Sequence, residues 1–422
     1  MVGRESFDVD KIAMELVMTQ NATKKLLLAK KIFEVAYKEG AYPSSIHEFY
    51  MARGRGEFKG FTVPAINLRS MTYDLARAIF RVAQKNNSAA FVFEIARSEI
   101  GYTNQPPIEY ASMVLAAAIR ENYSGPVFIQ GDHFQVKATK FKEDHDKEIE
   151  GLKTLIRNAI SSGFYNIDID SSTLVDLSKP DLKEQQLLNY EVCAGLLRFI
   201  RSVEPKGITI SVGGEIGEIG HQNSTPKDLG AFMAGLEDML GKNLSGISKI
   251  SVQTGTTHGG VVLPDGSIAQ IKLDFNTLKT LSELARGEYG LAGAVQHGAS
   301  TLPPEAFHKF VECETAEVHL ATQFQNMIYE SKHFPAELKK RIYEWLKVNM
   351  RDEAKQGETE EQFLYKTRKK ALGPFKEEIM GLPQETRDAI AAEIENTFDF
   401  LFKQLNVTNT RALVNKYNTL KK

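Results

Sequence analysis

The sequence has little cysteine and no long apolar run. Its two cysteines, Cys193 and Cys313, lie far apart and lack the C-x-x-C spacing of a redox pair or a thiolate metal site. The longest apolar runs, such as Ala111–Ile119 and Pro126–Ile129, are far shorter than the roughly twenty residues that a membrane helix needs. The sequence therefore predicts reduced cysteines and no membrane span.

The sequence also lacks an excess of charge of one sign. Its 52 lysines and arginines nearly balance its 54 aspartates and glutamates, which removes any global electrostatic argument for binding nucleic acid or an anionic membrane. Binding of small acidic substrates is still possible, because it depends on local basic groups and not on the net charge. Residues Met1–Lys11 carry charges of both signs and lack the apolar core of a secretory signal, so we expect a cytoplasmic protein.

Short β-rich runs alternate with amphipathic helical stretches between about Gly60 and Ser331. The strand candidates are Phe61–Ile66, Ala89–Ile95, Pro126–Gly131, Tyr165–Ile169, Ile208–Val212, Ile247–Gln253, Gly290–Gln296 and Ala316–Leu320. Most are apolar enough to be buried on both faces, as parallel strands are. Eight strand–helix repeats predict a closed TIM (β/α)8 barrel rather than an open sheet.

Helical periodicity follows several of these strands. Apolar residues recur three and four positions apart in Met71–Lys85, Lys147–Ser161, Lys183–Val203 and Pro226–Leu240. Ser70 precedes the first of these segments, and Thr225 with Pro226 opens the last, which predicts a hydroxyl at each N-cap.

Two regions lie outside the predicted barrel of residues 60–331. Residues 1–59 are predicted to form an N-terminal helical extension that ends in a Gly/Arg-rich loop at Ala52–Gly60, and residues 332–422 a C-terminal helical extension. Large helical additions commonly mediate assembly, so we expect a homo-oligomer.

Reactive side chains cluster where the predicted strands end. Asp132 and His133 follow the third strand, Asp170 the fourth, Glu215 the fifth, His258 the sixth and His297 the seventh. The C-terminal ends of the strands carry the catalytic groups of a TIM barrel. Each histidine taken singly is more readily interpreted as a hydrogen-bonded structural residue. Three imidazoles in register instead predict a zinc site with an open fourth position for water or substrate.

Ordered motifs along the chain resemble those of the class II fructose-bisphosphate aldolases. They are Gly131–His133, Ile169–Ser172, Gly214–Gly217, Gly255–Gly259, Lys272–Phe275 and Gln296–Ser300 with Leu302–Pro303, and the similarity runs from roughly Phe61 to Glu330. The resemblance implies that Asp132 is the acid/base acting on the substrate hydroxyl at the cleaved bond. It implies that His133, His258 and His297 bind catalytic Zn²⁺ or another divalent metal. Asp170 and Glu215 would line that metal site.

The resemblance also implies where a sugar phosphate would bind. The candidate contacts are Gly259, Gly298, Ser300, Thr322, Asn67 and Arg368. Backbone amides of glycine-rich loops donate hydrogen bonds to phosphate without bulk. Arg368 or Lys369 would correspond to the late-helix arginine that reaches a distal phosphate. The alternatives are that the glycines only form tight turns and that the basic cluster at Lys366–Lys370 is a solvated helix face.

The sequence departs from the family pattern around the substrate. Gly298–Thr301 reads Gly-Ala-Ser-Thr where the family has Gly-Gly-Ser-Gly, and His319 stands in place of an asparagine. Asn223 occupies the position of the loop glutamate that moves a proton, which an asparagine cannot do. Glu218 or His221 could replace it if the loop is threaded differently, and the alternative for Glu218 is a solvent-facing loop charge.

These features predict a zinc-dependent class II aldolase. Its expected reaction is the reversible cleavage of a ketose bisphosphate, with fructose 1,6-bisphosphate as the leading candidate, to dihydroxyacetone phosphate and glyceraldehyde 3-phosphate. The changes at Asn223 and His319 motivate an alternative, a metal-dependent sugar or sugar-acid epimerase or a tagatose-bisphosphate aldolase-type protein on the same fold. A third interpretation, a non-catalytic barrel subunit, is disfavoured by the pairing of Asp132 with His133.

Overall fold

The computed structural model describes residues 7–217, 222–255, 263 and 273–418. The strands are β1 (Ala41–Ser44), β2 (Val63–Asn67), β3 (Val92–Ala96), β4 (Gly125–Gln135), β5 (Asn166–Asp170), β6 (Ser211–Glu215), β7 (Lys249–Val252), β8 (Ala294–Gln296) and β9 (Glu317–Leu320). Strands β2 to β9 pair in parallel in chain order, and β9 closes the ring by pairing with β2. The predicted TIM barrel is confirmed.

Helices surround this barrel and extend beyond it. They are α1 (Val9–Met18), α2 (Ala22–Lys38), α3 (His47–Gly54), α4 (Thr72–Lys85), α5 (Arg97–Tyr102), α6 (Pro107–Arg120), α7 (Ala138–Glu143), α8 (His145–Ser161), α9 (Leu182–Val203), α10 (Pro226–Leu240), α11 (Phe275–Gly287), α12 (Phe307–Glu312), α13 (Thr322–Glu330), α14 (Ala336–Asn349), α15 (Glu360–Thr367), α16 (Lys376–Met380), α17 (Gln384–Gln404) and α18 (Arg411–Tyr417). Within the described ranges, no helix is both long and apolar enough to cross a bilayer.

Burial explains why the barrel strands were predictable. Every residue of β2, β3, β5 and β6 is buried, as expected for parallel strands that have side chains in the barrel on one face and helices on the other. Each of the eight predicted strands overlaps one of the barrel strands β2 to β9.

Strand β1 was not predicted, because the sequence suggested only a helix and a loop before residue 60. This four-residue strand pairs in parallel with the first half of β4, from Ala41 opposite Gly125 to Ser44 opposite Phe128. The side chain of Asn166 in β5 holds the end of β1, since it accepts a hydrogen bond from the Ile46 amide at 2.8 Å and donates to the Ser44 carbonyl.

The two predicted helix caps have different outcomes. Thr225 caps α10 as predicted, in a capping box with Asp228. The prediction for Ser70 is wrong, because α4 begins one residue later, with Met71 at the N-cap. Met71 adopts the left-handed conformation, with φ of 50°, and its side chain does not cap the helix. The turn that follows β2 therefore leaves the hydroxyl of Ser70 one residue before the N-cap.

Ion pairs and hydrogen bonds connect the N- and C-terminal segments to the barrel. Glu109 of α6 is buried and forms ion pairs with Lys25 of α2 and Lys376 of α16, each at 2.5 Å. The hydroxyl of Thr410 accepts hydrogen bonds from the amides that precede β3, those of Ala89 and Ala90. The division of the chain at residues 60 and 331 stays a prediction.

Candidate active site

A bulge in β4 brings two successive side chains into one cleft. The pairing of β4 with β5 shifts register between Gly131 and Phe134, and His133 has a φ of 38°. Successive residues of a regular strand point to opposite faces, whereas a bulge re-aims a side chain. Asp132 and His133 therefore both line a cleft of about 370 Å³ at the carboxyl end of the barrel.

Gly131 is required by this bulge. A Cβ at this position would lie 2.5 Å from the ring of Phe134, which is fully buried. The glycine thus makes room for a neighbouring aromatic side chain of the same strand.

Asp170 fixes the orientation of His133. Its Oδ2 accepts a hydrogen bond from Nδ1 of His133 at 3.0 Å and from Nε2 of Gln135 at 2.6 Å. The other oxygen accepts from the hydroxyl of Ser172 at 2.7 Å. A carboxylate that holds one imidazole nitrogen and leaves the other directed at the site is the usual hydrogen-bond partner of a metal-binding histidine.

His297 lies beside His133 and Asp132. Its ring centroid is 4.1 Å from that of His133, and its Nε2 is 3.3 Å from Oδ1 of Asp132. On the other side of the ring, Nδ1 lies 2.8 Å from the hydroxyl of Ser251 and 3.8 Å from the carboxylate of Glu215. The structure thus brings Asp132, His133, His297, Asp170 and Glu215 together.

His319 joins this group, although it was not among the predicted site residues. Its ring centroid is 4.0 Å from that of His297, and its Nδ1 is 3.3 Å from Asp132 and 2.9 Å from Glu94. Its Nε2 donates to Glu317 at 2.6 Å. The signal in the sequence was its position at the end of the last barrel strand; Glu94, in the middle of β3, gave none.

Burial and neighbouring charges both shift the pKa values of these groups. Burial alone would raise the pKa of the Asp132 carboxyl, but the neighbouring imidazoles of His133 and His319 hold it well below its usual range. Burial lowers the pKa of His297, and the other two imidazoles lower it further. For Glu94 burial prevails and raises the pKa to about 8. Asp132 is therefore an ionised carboxylate at neutral pH.

The donor set fits a divalent cation. One carboxylate oxygen of Asp132 and one ring nitrogen each of His133 and His297 all lie within 4.8 Å of one another. Imidazole nitrogens and carboxylate oxygens are the ligands that Zn²⁺ and similar ions accept. The predicted third ligand, His258, lies outside the described residues, as do Gly259, Glu218 and His221.

The predicted substrate contacts fall into two groups. Gly298, Ser300 and Thr322 line the cleft, and the hydroxyl of Ser300 accepts a hydrogen bond from the amide of Ala321. Asn67 does not line it, and neither does Asn223, which stands at the position of the family's loop glutamate. The Asn67 amide donates to Glu99 at 2.6 Å, and exposed Asn223 lies 3.4 Å from Asp274.

Arg368 is also absent from the cleft wall. Its guanidinium forms an ion pair with Glu330 at 2.6 Å, donates to Asn326 and packs on the ring of Tyr365. The next residue, Lys369, lines the cleft.

A second cation that lines the cleft is Arg69, which lies in the loop between β2 and α4. Its Nε donates to the buried Glu99 at 2.7 Å, and its Nη1 reaches Thr322 and Gln325 at 3.4 and 3.3 Å. The cleft thus combines histidines and carboxylates with two cationic side chains, Lys369, which the sequence offered as the alternative to Arg368, and Arg69, which sequence reasoning did not assign to it.

Comparison with known proteins shows the family of the chain. Residues 55–397 match the profile of the family "Fructose-bisphosphate aldolase class-II". The chain belongs to this family. Class II aldolases are typically metal-dependent, which accords with the His and Asp groups gathered in the cleft. No curated protein sequence matches the chain.

Solved structures share the fold of this class II aldolase family member. The fructose-bisphosphate aldolase of Campylobacter jejuni is 18% identical, with a TM-score of 0.51, and the alignment covers 88% of this chain and 97% of that one. The fructuronate-tagaturonate epimerase UxaE of Cohnella laeviribosi is 11% identical, with a TM-score of 0.64 and coverage of 91% and 86%. At these identities the likeness establishes the fold alone.

Proposed function

We propose that this chain is a divalent-metal-dependent aldolase that reversibly cleaves a ketose bisphosphate, with fructose 1,6-bisphosphate the first substrate to test. The products would be dihydroxyacetone phosphate and glyceraldehyde 3-phosphate. The observation that carries the proposal is the approach of Asp132 to His133 and His297 at the carboxyl ends of the strands, in a chain of this family.

Each side chain has a role in this proposal. His133 and His297, with His258 as the proposed third ligand, would hold Zn²⁺ or a similar ion, oriented by Asp170 and Glu215. A bound ion of this kind polarises a carbonyl and stabilises the negative charge that develops on it. Asp132 is ionised and so can accept the proton of the substrate hydroxyl whose carbon–carbon bond breaks.

The predicted phosphate contacts support a phosphorylated substrate. Gly298, Ser300 and Thr322 line the cleft beside His297, and we propose that they and Gly259 bind one phosphate of the ketose. The turn at Gly298, with φ of 71°, places a backbone amide segment at the cleft without a side chain.

The test is a coupled assay of the metal-loaded protein against a panel of ketose mono- and bisphosphates. We expect release of dihydroxyacetone phosphate, its loss on chelation and its return when Zn²⁺ or another divalent ion is added. Metal-loaded protein that cleaves no phosphorylated ketose contradicts the proposal. Protein that neither retains metal nor turns over any sugar fits the non-catalytic barrel subunit.

The environment of His319 favours a second candidate function, epimerisation of a sugar or sugar acid. His319 and Glu94 adjoin Asp132, so the cleft holds more than one group that could move a proton to or from a carbon. The structural likeness to an epimerase is consistent with it. Interconversion of tagaturonate and fructuronate, followed by NMR without release of smaller fragments, would establish this alternative.

A further inference from the structure

His319 is oriented in the same way as the proposed metal ligand His133. Nε2 of His319 donates a hydrogen bond to the carboxylate of Glu317 at 2.6 Å, as Nδ1 of His133 does to the carboxylate of Asp170 at 3.0 Å. A carboxylate that holds one imidazole nitrogen in this way typically orients the other nitrogen toward a metal ion. In a neutral His319 ring that nitrogen is Nδ1, which carries the lone pair.

Glu317 is itself held from the interior of the barrel. Its Oε1 accepts hydrogen bonds from Nζ of Lys249 at 2.5 Å and from Nε2 of Gln130 at 2.8 Å. Its Oε2 accepts a hydrogen bond from the hydroxyl of Tyr50. Because Glu317 is fixed as an acceptor, the proton on the side of the His319 ring that faces it stays on Nε2.

The lone pair of His319 faces two carboxylates. Nδ1 lies 2.9 Å from Oε2 of Glu94 and 3.3 Å from Oδ1 of Asp132. Neither contact has the geometry of a hydrogen bond, and Nδ1 and the Oε1 of Glu94 are both buried without a hydrogen-bond partner in the described ranges. Three acceptors that face one another away from water require a proton or a cation between them.

The buried charges around His319 are not balanced by the protein. Four carboxylates are buried here, those of Glu94, Asp132, Asp168 and Glu317. Within the described ranges, Lys249 is the only lysine or arginine that forms an ion pair with any of them, through Asp168 at 2.9 Å and Glu317 at 2.5 Å. Buried charges are costly unless an opposite charge compensates them. A divalent cation would supply that charge.

The distances between the donor atoms match those between ligands of one ion. Zn²⁺ binds nitrogen and oxygen ligands at about 2.0–2.2 Å, so two ligands of a tetrahedral ion lie roughly 3.3 Å apart. Nδ1 of His319 lies 2.9 and 3.3 Å from its two carboxylate neighbours, and the three donor atoms are all within 4.8 Å of one another. An ion therefore fits between them with little movement of the side chains.

We propose that Glu94, His319 and Asp132 bind a second divalent cation, beside the ion of the proposed function. One imidazole nitrogen and two carboxylate oxygens are suitable ligands for Zn²⁺, Co²⁺ or Mn²⁺. Oδ1 of Asp132 also lies 3.3 Å from Nε2 of His297. The carboxylate thus lies between the two ions, as in centres whose ions are about 3.5–4 Å apart. The inference goes beyond the proposed function, which requires one ion.

A second ion changes what the neighbouring side chains can do. It takes the lone pair of His319 and the carboxylate of Glu94, so neither group is then able to move a proton to or from a carbon. Two neighbouring ions instead bind two oxygens of one substrate. Occupation of this site therefore argues against epimerisation by His319.

The number of bound ions tests the second site. The full-length protein is stripped with a chelator and dialysed against Mn²⁺, and the bound metal per chain is measured. We expect two equivalents for the wild type and one for Glu94→Gln and for His319→Asn, because each substitution removes a ligand. Glu143→Gln and His308→Asn, at exposed positions, are the matched controls and should bind two. Asp132→Asn keeps an oxygen at its position and is therefore not used for this test.

Electron paramagnetic resonance shows whether the two ions are neighbours. Two Mn²⁺ ions a few ångströms apart couple magnetically, so the wild type with two equivalents should lack the hyperfine-split signal of isolated Mn²⁺. Glu94→Gln should show that signal. The wild-type spectrum decides the question even if a variant does not fold. An uncoupled wild-type spectrum, a single bound equivalent in the wild type, or two equivalents in both site variants overturns the second site.

The second site and the aldolase can fail separately. If protein that binds one ion cleaves a ketose bisphosphate, the second site is wrong and the aldolase stands. If two coupled ions bind and no ketose is cleaved, the second site stands and the aldolase is wrong.

Discussion

Oδ1 of Asp132 and Nε2 of His297 lie 3.3 Å apart, although 165 positions separate the two residues in the sequence. Strands β4 and β8 bring them together at the carboxyl end of the barrel. Because the two side chains are in contact, a substitution of either residue should change the site in a predictable way.

Replacement of Asp132 by asparagine should separate catalysis from metal binding. Asparagine keeps the shape but cannot accept the substrate proton, so we expect kcat to fall by about 10²- to 10⁴-fold while the metal content stays near the wild-type value. Steady-state kinetics and metal analysis measure the two effects. Asp146→Asn, at an exposed position of α8, is the control, and loss of metal from Asp132→Asn would show that Asp132 is chiefly a ligand.

Replacement of Asp170 by asparagine should weaken metal binding. The amide cannot hold Nδ1 of His133 as the carboxylate does, and loss of such an outer partner typically costs roughly 10- to 100-fold in metal affinity. Competition with a chromophoric chelator gives the affinity. An unchanged affinity, equal to that of the exposed loop variant Asp176→Asn, would argue that His133 is not a ligand.

The bulge of β4 should not tolerate a side chain at Gly131. In Gly131→Ala the new Cβ meets the Phe134 ring at 2.5 Å, and overpacking of this kind costs about 1–3 kcal/mol. Urea unfolding measures the loss, and Phe134→Leu in the same chain should relieve it. Gly151→Ala is the control, since a Cβ there has no neighbour within 4 Å; equal behaviour of the two alanine variants would rule out the clash.

Buried His47 in α3 should make the protein less stable as the pH falls. Burial and the charge of Arg201 lower the pKa of His47 from 6.5 to about 4. The folded state therefore disfavours the protonated imidazole, so its contribution to stability is present above pH 6.5 and is lost as the pH falls toward 4, up to about 3 kcal/mol. Urea unfolding at pH 7.5 and 4.5 should show a smaller pH effect for His47→Gln than for the wild type or His145→Gln, an exposed control; equal pH effects in all three would contradict it.

The barrel could be predicted because its strands are buried on both faces and so appear as apolar runs. Strand β1 could not, because four residues that include Pro43 carry too little periodicity and its pairing partner lies more than eighty positions away. The start of α4 was misplaced for a related reason: the left-handed Met71 depends on the tertiary turn after β2 and not on local composition.

The site was predictable wherever a reactive residue directly follows an apolar run that predicts a strand. Asp132, His133 and His297 satisfy that condition, and the structure places them together. Glu94 lies inside a strand, where the sequence does not reveal that its carboxylate reaches His319. Within the cluster of Arg368 and Lys369, composition cannot tell which side chain faces the cleft, because that depends on the pairing of Arg368 with Glu330.

The hydrogen bonds from Ala89 and Ala90 to Thr410 have a consequence for biosynthesis. Domains of a nascent polypeptide begin to fold as they leave the ribosome, but the amides ahead of β3 must wait for a hydroxyl translated more than three hundred codons later. Lys369 likewise follows the last barrel strand, β9, in the chain. The pocket wall should therefore be completed only after all the barrel strands have left the ribosome.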